Sequence, residues 1–568
     1  MNMIKKMFSG LINWKQNKPI VDWLLGLTKN YRKYIFGFLA INLITMLISL
    51  GSAVASRYVV DAATGYQSAL FYRYIVIMLA ASAVSILIGA ASSLFSSYVS
   101  EKFSFGIRVD LFDRVQRSVW HKLSKYHSGD LLSRLAGDVD GVSSTLISIV
   151  PNVIVTSIQL LLVLILLLRN DPMLALIGLI VGPLGMIASV FLRKQYTLYQ
   201  DKLRQSHSEY FSFLQESMSS IGVVKTFQLE DRKIDQLQKI RNKRLKLVVH
   251  SAKLNNIMSA IMRLVYSIGY VVTFSWCAYQ LSTNPSYTYG TMTLFLALVS
   301  QIQGSIRTLG GVLPQIFNLM VSAKRLYQVS ELENEDDTPG EGMPTMVAVE
   351  AKDLCFGYED EKDGRQVLNN LNFRIPAGVR VGVVGASGAG KTTFIRLLLS
   401  LISPTAGEIN FVDENGNPET AKPASRRFIS YVPQGNTLLT GSVRANLLAG
   451  NPNATDEQMW AALEQADAAD FLRRSPKGLD TVLAESAGGL SEGQAQRISI
   501  ARALLRDRPV LILDEATSAL DENTEARIFQ RISNLQGKTC FIITHRKSML
   551  CYCDMLLTID ENGHATLT

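Results

Sequence analysis

Cysteine is scarce in this chain. Cys277, Cys355, Cys540, Cys551 and Cys553 are the only five among 568 residues, and four of them fall in the C-terminal part. That number and placement exclude a disulfide framework, and no metal-ligand spacing appears beyond a lone "CYC", so reduced cytosolic thiols are expected. A recognition module for nucleic acid is also missing. The net charge is +9, yet the basic residues gather on no such module, which excludes nucleic acid as a partner. Nor is there a cleavable export signal. "MNMIKKMFSGLINWKQNKP" is basic but lacks a compact apolar core followed by small residues.

Long apolar runs are abundant, and they stop near Phe317. A bilayer-spanning helix needs about 20 mainly apolar residues. Six stretches qualify: Tyr34–Ala55, Ile75–Val99, Leu146–Leu168, Met173–Leu192, Met258–Leu281 and Thr291–Ile316. The connections alternate between short and long. The second long one is crowded with Lys and Arg, from Arg193 to Lys253, whereas the short "STNPSYTYG" has neither. Lys and Arg excess marks the cytoplasmic side. This predicts a multi-pass protein of the cell membrane, in contact with membrane lipid, with both termini and the C-terminal domain cytoplasmic. Ahead of the first span, "KPIVDWLLGLTKNYRKY" reads as an interfacial amphipathic helix with Ile20, Trp23, Leu24 and Leu27 on the lipid side. The long connections read as helical extensions into the cytosol. The acidic, Pro- and Gly-bearing stretch Ser330–Met346 reads as a linker. The expected domains are therefore 1–329, in the membrane, the linker 330–346, and a soluble domain 347–568.

The soluble part carries a phosphate cradle. A β-branched run, Val381–Val384, leads into "GASGAGKT" (385–392), which matches GxxxxGK[ST], and a helical pattern follows. In such a loop Gly385, Gly388 and Gly390 permit the tight fold that aims backbone N–H groups at phosphates, with Ser387, Ala389 and Thr393 in or beside it. Lys391 is expected on the β- and γ-phosphates of a nucleotide and Thr392 on Mg²⁺. In "RPVLILDEATSALD" an apolar strand ends in two carboxylates. Asp514 is expected to hold Mg²⁺, and Glu515 to orient or deprotonate an attacking water.

Together these segments resemble the ATPase domain of ATP-binding-cassette (ABC) transporters. "GASGAGKTT" resembles the Walker A loop and "VLILDE" Walker B. "YVPQGNTLLTGSVRANL" resembles the Q-loop region, with Gln434. "LSEGQ" resembles the signature, "SALD" the D-loop with Asp521, and "FIITH" the strand ending in the switch histidine, His545. "LCFGYED" places Tyr358 where that family stacks an aromatic ring on adenine. Before the linker, "KLSKYHSGDLLSRLAGDVDGV" and "ESMSSIGVVKTFQLED" resemble intracellular-loop segments of ABC exporters. The resemblance implies a multi-domain chain: an all-α six-helix transmembrane domain followed by an α/β P-loop ATPase domain with a helical subdomain. It implies ATP and Mg²⁺ as cofactors, with Gln434 on Mg²⁺ and the membrane loops and His545 on the γ-phosphate. A second half-transporter is implied as partner, in a homodimer or a heterodimer. Each signature then caps the ATP held by the other chain, through Ser491, Gly493 and the helix beginning near Gln494.

Two departures from the family pattern stand out. Glu492 replaces the first signature glycine; it either points outward at little cost or weakens one ATP site. Ala487 occupies a position where relatives often have glycine, which bears on a cross-talk role for Glu485. The resemblance implies ATP-driven export of an unidentified substrate. A lipid or oligosaccharide flippase, an importer and an ATP-gated channel are the alternatives, and the lack of a long regulatory insertion between spans and ATPase speaks against the channel. In the sixth span, Ser300, Gln301, Gln303, Ser305 and Arg307 form either a cargo-facing cluster or a helix–helix hydrogen-bond cluster, while Arg263 lies nearer the cytosolic end.

Overall fold

Backbone amides inside lipid have no water to bond, so an apolar chain that crosses it satisfies them along its own helix. The computed structural model describes residues 14–336, 338, 342–358, 366–435, 437–483 and 489–568. The N-terminal part is helical throughout: α1 Trp14–Thr28, α2 Arg32–Thr64, α3 Ser68–Arg117, α4 Ser128–Asn170, α5 Pro172–Ser219, α6 Glu230–Thr283 and α7 Tyr289–Ser330. Among the described residues, four helices are long and apolar enough to cross a membrane: 17–64, 68–117, 128–170 and 230–283. Helix α5 adds a shorter apolar stretch, Pro172–Val181.

Local chemistry sets the helix starts. Asp171 caps α5 by accepting from the N–H groups of Met173 and Leu174, and Pro172 takes the first helical position, where no N–H is needed. Thr288 and Thr291 form a reciprocal cap on α7. Asp130, Arg134 and Asp138 recur every fourth residue, so they share one face of α4. There Arg325 of α7 reaches both carboxylates, Asp130 at 2.7 Å and Asp138 at 2.8 Å, while Arg134 donates to the Arg325 carbonyl at 2.7 Å. This cluster accounts for the charged spacing in "SGDLLSRLAGDVDGV". One expectation is corrected. In α1, Ile20 and Leu24 are 6% and 5% exposed, and Trp23 meets the Tyr327 ring edge-on at 6.0 Å. That face packs on α7 rather than on lipid, because α7 offers an aromatic partner at the same level.

The described residues up to Asp113, with Ser128–Glu331, form one compact unit; Arg114–His127 and Leu332–Thr568 form a second. The second unit thus includes the loop between α3 and α4. Residues Glu333–Glu335 are pinned to it: Lys122 pairs with Glu333 at 2.6 Å, and Arg426 pairs with Glu335 through both guanidinium nitrogens.

Among the described residues the second unit holds two large sheets and a small antiparallel pair, β7 Gly441–Ser442 with β8 Val482–Leu483. Of the large sheets, one is antiparallel, in the order β2-β1-β4-β5: β1 Val347–Phe356, β2 Leu368–Ile375, β4 Ala406–Asp413 and β5 Pro418–Thr420. The other has the order β12-β11-β3-β10-β9-β6: β3 Arg380–Gly385, β6 Ile429–Val432, β9 Val510–Asp514, β10 Thr539–Ile543, β11 Met555–Ile559 and β12 Ala565–Leu567. Its strands are parallel except for the edge strand β12. β9 and β10 are buried along their whole length, as sheets covered on both faces require. Helix α8, Lys391–Leu398, is buried with Phe394 and Leu397 between the sheets. A second core lies under α9 Val443–Leu448, α10 Asp456–Gln465, α11 Glu492–Arg506 and α12 Glu522–Ser533.

Asp467 ties these helices together. It accepts from Arg527 at 2.8 Å and lies 3.2 Å from Arg531 of α12, and Arg497 of α11 donates to its carbonyl at 2.7 Å. Those hydrogen bonds, led by Arg527, hold the Asp467 carboxyl below the usual carboxylate range. A depressed pKa adds stability that is complete above about pH 4 and fades as pH falls through the lower folded value. Asp467→Asn is expected to cost about 1 kcal/mol and to lower the thermal midpoint of the ATPase transition by roughly 2–4 °C. The variant and the parent should converge in melting scans run from pH 7 towards pH 3.

Candidate nucleotide site

In open parallel sheets, ligands gather beyond the carboxyl ends of the strands. Here β3, β6, β9 and β10 deliver Gly385, Gln434, Asp514–Glu515 and His545 to one such edge. The phosphate loop leaves β3 and enters α8 through Gly390, whose φ of +101° is left-handed and whose added Cβ would lie 2.8 Å from Leu368 Cδ2. Lys391 is 8% exposed, and its Nζ donates to the carbonyls of Gly385 at 2.8 Å and Ala386 at 2.9 Å. Ser387, Gly388 and Thr392 are exposed on the loop, and Ala389 is buried beneath it.

The carboxylates occupy distinct settings. Asp514 is 4% exposed and accepts from the Tyr431 hydroxyl at 3.3 Å. Burial, with the neighbouring Glu515 charge, pushes its pKa up. Burial also raises the Tyr431 hydroxyl, and the Asp514 charge adds to the effect. Glu515 adopts φ +48°, which few non-glycine residues tolerate, and its N–H bonds the Ile543 carbonyl at 3.1 Å. Its carboxylate is clamped from two sides: Gln434 Nε2 donates to Oε2 at 2.6 Å, and His545 Nε2 lies 2.9 Å from Oε1. Three residues identified separately in the sequence therefore meet at one carboxylate.

Tyr358 is half-buried, with Phe356 edge-on at 4.8 Å. Its hydroxyl bonds Thr393 Oγ1 at 3.2 Å and accepts from Arg396 at 3.2 Å. Arg396 in turn stacks over Trp120 at 5.4 Å, so the loop between α3 and α4 touches the helix that begins at Lys391. No sequence motif marked Arg396 or Trp120.

The signature segment is held differently. Ser491 Oγ accepts from the Gln494 N–H at 3.2 Å, and Gln494 Oε1 accepts from the Ser491 N–H at 2.9 Å, a reciprocal cap on α11. Among the described residues, no hydrogen bond links Ser491, Gly493 or Gln494 to this chain's own phosphate loop. Glu492 is exposed in the first helical turn, where a carboxylate suits the helix dipole. Gly493 packs against the D-loop, and an added Cβ would lie 2.9 Å from the Ala519 carbonyl oxygen. Gln496, 1% exposed, bonds Ser518 at 3.0 Å and the Ala519 N–H at 3.1 Å. Asp521 caps α12 by accepting from the Thr524 N–H at 2.9 Å. Below the D-loop, Glu525, 1% exposed, pairs with Arg546, which donates to the Leu520 carbonyl at 3.1 Å. Sequence reasoning passed over Gln496 and Glu525. Their signal was a polar residue on the apolar face of an amphipathic helix. Glu485 and Ala487 lie outside the described residues. All five cysteines are free thiols.

Comparison with known proteins agrees in both halves. The family described as "ABC transporter transmembrane region" matches residues 33–306, and the family described as "ABC transporter" matches residues 368–518. The chain is 29% identical to an ATP-dependent lipid A-core flippase of Syntrophus aciditrophicus, over 84% of this chain and 80% of that one. It is 30% identical to the Mycoplasma genitalium protein MG015, whose name proposes an ABC transporter ATP-binding protein, over 77% and 75%. The solved structure of a bacterial Atm1-family ABC exporter with ATP bound superimposes with a TM-score of 0.80 over 94% of each chain, at 23% identity. With phosphate loop, paired carboxylates and signature on one polypeptide behind a helical membrane region, this chain belongs to the ABC transporter family and is an ATP-hydrolysing transporter.

Proposed function

We propose that the chain is one half of a dimeric exporter driven by ATP. It has six spans, an ATPase domain from about residue 347, and that domain and both termini in the cytoplasm. Two copies, or this chain and a related one, sandwich two nucleotides, each between the phosphate loop of one subunit and the signature of the other. The observation that carries this reading is the Glu515 carboxylate, held between Gln434 and His545 beyond the strand that ends at Asp514. That placement suits a base that orients and deprotonates water against a terminal phosphate. Lys391 is placed to exchange its loop carbonyls for phosphate oxygens, and Tyr358 to face the base. His545 is expected to hydrogen-bond the γ-phosphate. Thr392, Gln434 and Asp514 offer an all-oxygen set that fits Mg²⁺, which offsets phosphate charge when bound; the buried Asp514, its pKa raised, is the kind of anion a cation compensates. Ser491, Gly493 and Gln494 face the partner's nucleotide, and Asp521 lies beside them.

The cargo is best read as amphipathic and anionic. In α7, Gln301 is occupied by Gln159 at 3.4 Å, and Ser300 by the Leu296 carbonyl at 2.8 Å. Arg307 is exposed and has no hydrogen bond or ion pair among the described residues. A free guanidinium at span depth suits an anionic headgroup. The lipid A-core flippase relative favours lipid flipping as the second reading.

Glu515→Gln is expected to bind ATP as the parent does while turnover falls by at least about 100-fold; phosphate release and nucleotide-binding titrations separate the two, and near-parent hydrolysis would remove Glu515 as the base. Gly493→Ala pushes on the Ala519 carbonyl, so kcat should drop about ten-fold at little change in ATP affinity. Steady-state kinetics of the reconstituted protein check this.

A further inference from the structure

Four lysines crowd a cleft that the transport chemistry leaves unused. Between α5 and α6, a cavity of 620 Å³ is lined by Lys202, Lys239, Lys243 and Lys246, with Ser206 and Glu209. Two of the ammonium groups are neutralised. Lys243 bonds Glu209 at 2.8 Å, and Lys239 pairs with Asp235 at 2.7 Å. Among the described residues the other two have no carboxylate partner. Lys202 sits over the Tyr199 ring at 5.4 Å, and Lys246 is exposed with no hydrogen bond or ion pair among the described residues.

A second, independent observation lies in the wall of the same cleft. Ser206 is 2% exposed, and its Oγ has no hydrogen-bond partner among the described residues. Native proteins rarely leave a buried hydroxyl unpaired. The cleft therefore combines uncompensated positive charge with a buried, unused hydroxyl, which together suit an anion with several oxygens. Lysine serves phosphate as a mobile point charge.

We propose that this cleft binds a phosphate group, with Lys202, Lys246 and Ser206 as its donors. Lys202 lies about ten residues past Leu192, or about 15 Å along the helix from the expected end of the fourth span. The phosphate is that of a free compound of the cytosol, or of an inner-leaflet headgroup where the helices tilt enough to bring Lys202 into the headgroup layer, which extends about 5–8 Å past the hydrocarbon. The cleft itself stands on these residues alone; its facing the inner leaflet rests on the orientation proposed above.

Native mass spectrometry of the full-length protein in neutral detergent tests this, with dioctanoyl phosphatidic acid and dioctanoyl phosphatidylcholine as probes. Phosphatidic acid should bind at least about ten-fold tighter than phosphatidylcholine. Lys202→Ala with Lys246→Ala should lose about ten-fold for phosphatidic acid, the corresponding arginine pair should stay within about two-fold, and Ser206→Ala should lose about three-fold. Glu515→Gln should bind the probe as the parent does, which separates this site from the transport reading. Displacement by inorganic pyrophosphate assigns the site to free phosphate compounds; retention assigns it to lipid headgroups. Equal binding of the two lipids overturns the proposal, as does unchanged phosphatidic acid binding by the double alanine variant with ATP binding intact. Should that variant also lose ATP binding, Ser206→Ala decides, and parental affinity there overturns the proposal.

Discussion

The parallel pairing of β3, β10, β9 and β6 is the constraint on which the nucleotide chemistry depends. Parallel strands end on the same edge, so residues far apart in sequence arrive together without any loop having to travel. Gln434 and Glu515, 81 positions apart, bond at 2.6 Å because their strands are hydrogen-bonded neighbours. His545 reaches the same carboxylate from the strand on the other side. The central strands β9 and β10 are buried throughout because both faces are covered, and the catalytic groups gather at the strand ends.

Around this edge, buried polar pairs add direction to the apolar packing of the helical core. The D-loop anchors Leu520 in the helical core, and its backbone is held by Gln496 on one side and the Arg546–Glu525 pair on the other. Arg546 follows His545 directly, so the histidine and the Leu520 carbonyl are held by adjacent residues. Asp467 plays a comparable part among the helices. Breaking any of these pairs leaves an unpaired charge in a partly dry setting, which costs more than the pair itself contributes.

The membrane helices follow a different economy. Hydrophobic burial cannot hold helices together in lipid, so packing and polar contacts must. Two polar clusters bracket the helical unit. One is Asp130, Arg134, Asp138 and Arg325. The other is Asp171, which accepts from Trp276 at 2.9 Å and also from Tyr287. Each joins helices that are distant in sequence.

Much of this was legible in the chain itself. Walker A, Walker B, signature and histidine strand announce themselves because phosphate chemistry demands glycine, lysine and carboxylate at fixed local spacing, and each motif sits within a single strand–turn–helix segment. The four long apolar helices were legible because lipid imposes length and apolarity on a continuous stretch. What the sequence could not decide was which side chains meet across elements. The face of α1 carrying Ile20 and Leu24 looks lipid-directed until α7 supplies Tyr327. Trp120 lies in a loop between membrane helices, yet it packs over Arg396 beside the phosphate loop. The left-handed turn at Glu515 and the buried Glu525 were equally out of reach. Local periodicity determines an element and its apolar face; the partner for that face, and the polar atoms that must pair once water is excluded, are decided only when the elements pack.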